Sequence, residues 1–436
     1  MADIKAFSAY RYAPQLPIAD LITQPYDVIS PEQQQAYYHR HAYNIIRLEY
    51  GMANEQDNDE NNVYSRAAAN FADWQAGGIL LRDPQPAFYL YCQEFAVHDD
   101  HYRRSGFLAT LKANGYDDGW VTPHEQTLPK HKADRLQLMH STRANFSPIF
   151  GLYADEQRAV DILLREAAEA RGDAAIDFVD DNGVRHLLWR IDDPAIVAAI
   201  EAKMAAQKIY IADGHHRYET ASLFAQQMRE QGVGDCDYIM INLVNLYDPG
   251  LVVLPFHRIV KNLPAFSAEE LTRQLHISDF NIINISQGSR AADREHLLQK
   301  LADADSDDMA CGLYTGGQYY LIKLNKQAAS IAAALPELDP AARRLDVNII
   351  HKLLLEDICG ISPEDVAGCN FVDYSSDYQQ ACAMVDDGSH QFALLLNPTK
   401  VRELIEIADA RQKMPQKSTC FFPKVIAGLT INKLEK

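Results

Sequence analysis

The segment Lys208–Ala221 constrains the fold of this chain more than any other part of the sequence, because two hydrophobic patterns meet in it. Residues 208–212 form a short, mostly apolar run, which is typical of a buried β-strand. From Tyr218 to Gln231, apolar side chains recur at helical spacing, at Ala221, Phe224 or Ala225, and Met228. The segment predicts a strand, a tight turn and a helix, and a chain of mixed α/β class.

The turn in this segment carries Asp213, Gly214, His215, His216 and Arg217. Gly214 permits a backbone conformation or a close approach that a side chain forbids. A helix that begins here points N–H groups and the positive end of its dipole at the turn. Because two imidazoles and a guanidinium join them, we predict a phosphate or nucleotide site formed by residues 214–217. Asp213 and His216 are the predicted catalytic residues, with Asp213 also able to hold a metal ion or orient a histidine. The alternative is an N-capped helix with surface histidines.

A second polar segment runs from His124 to Arg135. No His-Glu-x-x-His pattern occurs in it, so a zincin-type metal site is not supported. Glu125 is the candidate general base. The candidate hydrogen-bond donors to an anion are Lys130, Lys132 and Arg135. The alternative is a solvated charged loop.

A third segment, Lys413–Lys424, places Lys417 beside two hydroxyl residues and between two prolines. The glycines of a P-loop are missing before it, so a Walker site is rejected. We interpret Lys417 as a second clamp for phosphate or carboxylate, the alternative being a rigid loop with an exposed lysine. Asp27 is a weaker candidate metal ligand, and His257 with Arg258 could extend the cationic wall.

The composition narrows the classes of partner. The formal net charge of −19 argues against a duplex nucleic-acid binder, which needs a basic excess. The seven cysteines are odd in number, and no two of them have a Cys-x-x-Cys or a regular zinc spacing, which favours reduced thiols. Neither a signal peptide nor an apolar run of ~18 residues is present, so we expect a cytoplasmic protein that binds no membrane.

Other parts of the chain predict further elements. Ser30 before Pro31 predicts the start of a helix. Alternation over residues 45–50 predicts a strand, and residues 88–92 and 102–111 predict two more. We expect three regions, at 1–260, 261–345 and 346–436, the first holding the phosphate site and the last contributing the Lys417 loop. The pattern predicts neither the sheet order nor the oligomeric state.

The turn also resembles known families. Gly214–Glu219 is similar to the Gly-Cys-His-Arg-Tyr signature of sulfiredoxins, and Asp213–Arg217 to the Asp-Gly-His-His-Arg signature of ParB-type partition proteins and ParB-like free-serine kinases. The resemblance implies a ParB/sulfiredoxin-like core with large insertions and a C-terminal α/β extension, and a nucleotide bound at the turn. His215 stands where sulfiredoxins carry cysteine, which excludes their thiolate chemistry here.

A longer resemblance, to the domain-of-unknown-function family 1015, covers nearly the whole chain. It is carried by the segments Gln24–Ser30, His124–Thr127, Asp134–Arg135, Asn145–Phe150, Asp213–Thr220, Leu254–Arg258 and Met414–Lys424. Several motifs in the same order imply membership of that family. They imply little about the reaction.

These observations predict an enzyme that binds a nucleoside di- or triphosphate with Mg²⁺ and transfers a phosphoryl group to a small hydroxylated metabolite. Serine is the first acceptor to consider, by analogy with the ParB-like kinases. One alternative is a hydrolase of a phosphorylated metabolite. The other is a nucleotide-binding switch without catalysis, which ranks lower because ParB proteins usually carry a DNA-binding segment and basic patches.

Overall fold

A computed structural model describes residues 1–125, 129–234 and 236–434, without the side chains of 129–131 and 367. The strands are β1 (Ile4–Lys5), β2 (Tyr10–Tyr12), β3 (Leu80–Arg82), β4 (Phe88–Val97), β5 (Asp100–Lys112), β6 (Val121–Thr122), β7 (Ala144–Asn145), β8 (Ile149–Tyr153), β9 (Ile176–Val179), β10 (Arg185–Ile191), β11 (Ile209–Asp213), β12 (Tyr238–Asn245), β13 (Val252–Leu254), β14 (His257–Val260), β15 (Asn281–Asn284), β16 (Asp308–Tyr314), β17 (Tyr319–Asn325), β18 (Val372–Ser375), β19 (Phe392–Leu396), β20 (Cys420–Phe422) and β21 (Asn432–Lys433).

The helices lie between these strands along the chain, singly or in consecutive groups. They are α1 (Ile18–Leu21), α2 (Pro31–Arg40), α3 (Ile46–Glu49), α4 (Val63–Ala76), α5 (Pro129–Thr142), α6 (Ala159–Arg171), α7 (Pro194–Met204), α8 (His215–Glu230), α9 (Ala268–Ile277), α10 (Arg290–Ala302), α11 (Ala329–Ala334), α12 (Pro340–Arg343), α13 (Asp346–Ile349), α14 (Pro363–Ala367), α15 (Tyr378–Asp386) and α16 (Val401–Asp409), with a 3₁₀ helix at Tyr26–Val28 and a π-helix at Ile350–Glu356. The predicted mixed α/β class is confirmed.

The chain forms two compact units. The first unit comprises Met1–Pro123, Thr127–Val252 and Pro423–Lys436, and the second comprises His124–Gln126 and Val253–Phe422. This grouping follows contacts rather than sequence order, and the expected three regions stay a prediction.

A nine-stranded mixed sheet organises the first unit. Its order is β6-β11-β8-β12-β5-β4-β10-β9, and β1 extends it beside β5. Strand β11 runs antiparallel to β8, whereas β12 runs parallel to β8. Apolar side chains of α6 and α8 pack with the sheet in one core, which includes Leu164 and Phe224. The sheet therefore fixes the end of β11, from which the predicted phosphate site begins.

An antiparallel sheet of six strands, β15-β17-β16-β19-β14-β18, organises the second unit. Its core contains Leu297 of α10 and Ala381 of α15 against strand residues such as Tyr314. No helix within the described ranges is long and apolar enough to cross a membrane.

The local predictions have different outcomes near the N-terminus. The helix start at Ser30 is confirmed, since the Ser30 hydroxyl accepts from the Gln33 N–H and the Gln33 side chain accepts from the Ser30 N–H. The strand predicted at 45–50 is wrong, because residues 46–49 form α3. The Asn44 side chain accepts from the Ile46 N–H at 2.9 Å and so favours a helical turn over an extended chain.

Candidate functional site

The predicted strand, turn and helix around Asp213 are present in the first unit. Strand β11 ends at Asp213, Gly214 adopts a left-handed conformation with φ of +86°, and α8 begins at His215. A side chain at residue 214 would be crowded as well as strained, because a Cβ there would lie 3.0 Å from Ile149 Cγ2. Glycine therefore permits the tight connection that places Asp213 at the start of α8.

Asp213 is the centre of a small charge cluster. Lys424 Nζ lies 3.3 Å and Arg217 Nη2 lies 3.9 Å from its Oδ2 atom. Burial of the carboxyl disfavours its charge, but Lys424, Arg217 and His215 outweigh that effect and lower the pKa of Asp213 to about 2. Asp213 is therefore ionised at neutral pH, and it is too weakly basic to serve well as a general base.

Arg217 is more deeply embedded than a side chain that only faces a ligand. It is buried, and its Nη1 donates to the Pro148 carbonyl at 2.6 Å and to the Ser147 hydroxyl at 3.2 Å. Burial disfavours its charge, but Asp27, Asp213 and other negative groups outweigh it and raise the pKa of Arg217. Arg217 therefore supplies a fixed positive charge beside the turn, with part of its donor capacity used by the protein.

Glu49 lies next to this cluster, although its sequence context did not single it out. It is buried, its Oε1 accepts from the Ser147 hydroxyl at 2.7 Å, and it lies 3.5 Å from Arg135 Nη1. Burial raises the pKa of Glu49, against the opposing effect of Arg135. Ser147 thus links Glu49 to Arg217, and the carboxylate that has the more basic pKa is Glu49 rather than Asp213.

Glu49 also lines a cavity of about 320 Å³. Tyr50, Tyr64, Asp134 and Arg135 contribute to its wall. The guanidinium of Arg135 lies 2.6 Å from Asp134. The cavity thus combines two carboxylates with a guanidinium and phenol rings, groups that hydrogen-bond small polar molecules.

The other predicted site residues of the first unit differ in their burial and in their partners. Lys132 pairs with Glu219 of α8 at 2.9 Å. His215 is buried and His216 is half-buried. Asp27 is exposed on the 3₁₀ helix, and its charge acts on Arg217. The side chain of Lys130 lies outside the described residues. Asp213, Gly214, His215, Arg217 and Asp27 are therefore brought to one region, and Arg135 joins it through Glu49.

Glu125 and Lys417 belong to the second unit. Glu125 pairs with Met414 through an isolated β-bridge, and the neighbouring His124 lies 3.2 Å from the Thr419 hydroxyl. Lys417 has a left-handed backbone with φ of +57°, and its ammonium lies 5.4 Å from the centre of the Phe256 ring. The structure thus places His124 and Glu125 of the second predicted segment next to Met414 and Thr419 of the third. The prediction that they share one cavity with the Asp213 turn stays a prediction.

Metal binding was predicted at Asp27 and Asp213. Among the residues that the structure describes, no group of three or more His, Cys, Asp or Glu side chains is arranged to hold a metal ion. Mg²⁺ commonly takes only one or two carboxylates and completes its shell with water and phosphate oxygens. One or two carboxylates are thus enough for such an ion, and the metal-binding role of Asp27 and Asp213 stays a prediction.

Lys424, like Glu49, has contacts in the site that the sequence did not predict. It stood at the end of the third segment, but only Lys417 was given an anion-binding role. The signal available was the Pro423-Lys424 step that closes the segment, and nothing local connects it to Asp213. Glu49 could have been found by interpreting Asn44 as an N-cap before an apolar run.

Comparisons with known proteins identify a family and a few distant structural relatives. The model of a family described as "Protein of unknown function (DUF1015)" matches residues 4–348. No curated protein matches the sequence. A conserved hypothetical protein from Pyrococcus furiosus has 12% identity and a TM-score of 0.35, over 75% of this chain and 95% of its own.

Two further solved structures resemble the chain to a similar degree. A free serine kinase in complex with AMP has 11% identity and a TM-score of 0.36, over 74% of this chain and 91% of its own. SbnI from Staphylococcus aureus, truncated at its C-terminus, has 10% identity and a TM-score of 0.34, over 74% and 86%. Likeness at these scores is too low to transfer residue roles to this chain.

Proposed function

The chain belongs to the DUF1015 family, a family of unknown function, and from this premise we propose that it binds a nucleotide at the Asp213–Arg217 turn and transfers a phosphoryl group to a small hydroxylated metabolite. One observation carries the proposal. Lys424 and Arg217 converge on Asp213 where a left-handed glycine leads into the 16-residue helix α8. A helix N-terminus with two adjacent cations favours a phosphate group.

The charges of the cluster suit phosphoryl transfer, which depends on positioning and on neutralising phosphate oxygens. Lys424 is the mobile cation, because a lysine has a flexible stem and a single charged group. Arg217 is the fixed one, since it is anchored to Pro148 and Ser147. Asp213 remains ionised and, with Asp27, fits a magnesium ion, which supplies further neutralisation when it is bound with the nucleotide.

The acceptor needs a group that takes its hydroxyl proton as the new bond to phosphorus forms. Glu49 suits this role better than Asp213, because burial raises its pKa whereas the pKa of Asp213 is about 2. The cavity of about 320 Å³ beside Glu49 has the size of a site for a small metabolite. Glu125 remains the alternative proton acceptor, and serine remains the first acceptor to test.

The test is an assay of the full chain with ATP or ADP, Mg²⁺ and a panel of hydroxylated metabolites that includes serine. Phosphorus NMR follows the donor and the product directly. The proposal expects a phosphorylated acceptor that is lost in Asp213→Asn. Phosphate release from phosphorylated metabolites without a donor supports the hydrolase instead. Saturable nucleotide binding without turnover across the panel supports the switch.

A further inference from the structure

A further cavity of the first unit lies away from the Asp213 cluster. Its volume is about 750 Å³, and it opens between helix α6 and strands β4, β5 and β10. Cys92 of β4 faces Ser105 of β5 within it, whereas the adjacent pair, Gln93 and Arg104, points to the other face. On that other face Gln93 donates to the carbonyl of Lys424. Lys424 of the proposed phosphate site therefore lies on the face of the nine-stranded sheet opposite to the cavity.

One part of the cavity wall is apolar. Leu90 of β4, Leu164 and Ala168 of α6 and Trp189 of β10 form it, and the first three are buried. The Trp189 indole N–H donates to the Gly172 carbonyl at 2.9 Å, which fixes the orientation of the ring. This wall accommodates an aliphatic or aromatic group, because it offers hydrocarbon surface and one flat ring.

The other part of the wall is charged, and it includes the neighbouring side chains Asp248 and Arg158 together with Arg103, Asp161 and Glu169. Asp248 is buried and accepts from the N–H groups of Gly250 at 2.9 Å and Ser105 at 3.4 Å. Arg158 Nη2 lies 3.4 Å from Asp248, which is longer than a close charge-assisted hydrogen bond of about 2.7–2.9 Å. The two side chains are thus neighbours joined by a long hydrogen bond.

The position of Arg158 is fixed from both ends. Its Nε lies 2.9 Å from Asp161, and its backbone adopts a left-handed conformation with φ of +53° at the start of α6. That conformation is unfavourable for a non-glycine residue, and it persists only where the surroundings enforce it. Such strain is frequent at ligand-binding positions.

We propose that this cavity binds a free α-amino acid with an apolar side chain. The ammonium group lies against Asp248, the carboxylate against Arg158, and the side chain against Leu90, Leu164 and Trp189. An α-amino acid carries its two charges one carbon apart, which matches a carboxylate and a guanidinium held side by side. The volume exceeds that of one amino acid and falls in the range of about 300–1,000 Å³ of small-molecule sites.

The electrostatics of Asp248 agree with a cationic group in the ligand. Burial raises the pKa of Asp248 to about 6, despite the N–H donors and Arg158. A ligand ammonium beside it offsets the cost of the buried charge. This site does not rest on the proposed phosphoryl transfer, because none of the residues that line the cavity belongs to the phosphate site.

The test uses the full chain, isothermal titration and three sets of ligands at pH 7.5. The first set is L-phenylalanine, L-tryptophan and L-leucine. The second is phenethylamine, which lacks the carboxylate, and the third is 3-phenylpropionate, which lacks the ammonium. We expect saturable binding of at least one amino acid and affinity at least about tenfold lower for both single-charge analogues. Absence of saturable binding in the first set overturns the proposal, as does equal affinity for either analogue.

Two variants locate the binding. Ala168→Phe fills the apolar part of the cavity, and Asp248→Asn removes the charge with little change in shape. Both are expected to lower the affinity at least about tenfold. The first removes the space for the apolar side chain, and the second removes the charge that pairs with the ammonium. Glu166→Gln, on an exposed position of α6, is the control and leaves the affinity unchanged. If Ala168→Phe does not fold, Asp248→Asn decides alone, and full affinity in that variant overturns the proposal.

Discussion

Lys424 Nζ lies 3.3 Å from Asp213 Oδ2, although 211 residues separate the two in the sequence. The contact ties the C-terminal segment of the first unit to the end of β11. It also holds Asp213 ionised, because the lysine charge lowers the pKa of the carboxyl. Lys424 therefore has two roles in the proposed site. It donates hydrogen bonds to a bound anion, and it balances the charge of Asp213 when no ligand is bound.

Lys424→Met tests these roles. We expect nucleotide affinity to fall about tenfold to a hundredfold, since a charge-assisted hydrogen bond contributes about 1.5–3 kcal/mol. The pKa of Asp213 should rise because its nearest cation is gone. Isothermal titration with ADP and Mg²⁺ measures the first effect. Lys203→Met, at an exposed position of α7, is the matched control. Equal affinity in the two variants removes Lys424 from the site.

A comparison of Glu49→Gln with Glu125→Gln identifies the proton acceptor. Glu49→Gln can still accept from Ser147, so we expect nucleotide binding to persist while turnover falls about a hundredfold to ten-thousandfold. The variant also loses the buried ion pair with Arg135, and the free energy of unfolding should fall by about 1–3 kcal/mol. Turnover that survives in Glu49→Gln and falls in Glu125→Gln returns the role to Glu125.

The parts of the site that the sequence predicts are those encoded locally. The strand, Gly214 and α8 follow from hydrophobic spacing and turn chemistry within a short segment, and the structure contains all three. The pairing of Asp213 with Lys424 depends on the order of strands and on where the chain returns, which periodicity does not encode. Glu49 was missed for another reason: α3 has only four residues, too few to distinguish a helical from an extended pattern.

Arg217 shows a further limit of prediction from sequence. Its position after two histidines indicates an anion site, but its contacts with Pro148 and Ser147 depend on a neighbouring strand. Sequence patterns thus indicate which residues are charged and where a helix begins. They do not indicate how many N–H groups of an arginine are already hydrogen-bonded within the folded protein.

The second unit should be destabilised by mild acid. Burial and the charge of Arg258 lower the pKa of His257 to about 4 and of His351 to about 3, compared with about 6.5 in an unfolded chain. At pH values between the folded and the unfolded pKa, the unfolded chain binds more protons than the folded chain does. The free energy of unfolding therefore falls as the pH is lowered from 7 toward 4. The slope is at most about 1.4 kcal/mol per pH unit for each histidine.

Isosteric variants isolate this effect. His257→Asn keeps an acceptor for the Leu396 N–H, and His351→Gln keeps one for Arg258 Nε. Denaturant unfolding of the double variant at pH 7 and pH 5 should show a smaller loss of stability than the parent shows. His276→Gln, at an exposed position of α9, should retain the parent's pH dependence. An unchanged slope in the double variant contradicts the assignment.

Gly214→Ala tests whether the geometry of the turn controls the proposed site. The residue has φ of +86°, and an added Cβ would lie 3.0 Å from Ile149 Cγ2 and 3.1 Å from Arg217 Cζ and Nε. The left-handed backbone costs alanine roughly 1–2 kcal/mol, and the crowding adds about 1–3 kcal/mol unless Arg217 moves. We therefore expect a large loss in the free energy of unfolding together with weaker nucleotide binding.

Gly232→Ala separates the two contributions to that loss. Gly232 follows the other end of α8 with φ of +74°, and a Cβ there would meet no atom within 4 Å. Its substitution should cost only the backbone term and leave nucleotide affinity unchanged, because no side chain of the cluster is displaced. Denaturant unfolding and titration with ADP and Mg²⁺ measure both variants. Equal losses of stability, with the affinity preserved in Gly214→Ala, would show that the close approach of Gly214 to Arg217 has no part in binding.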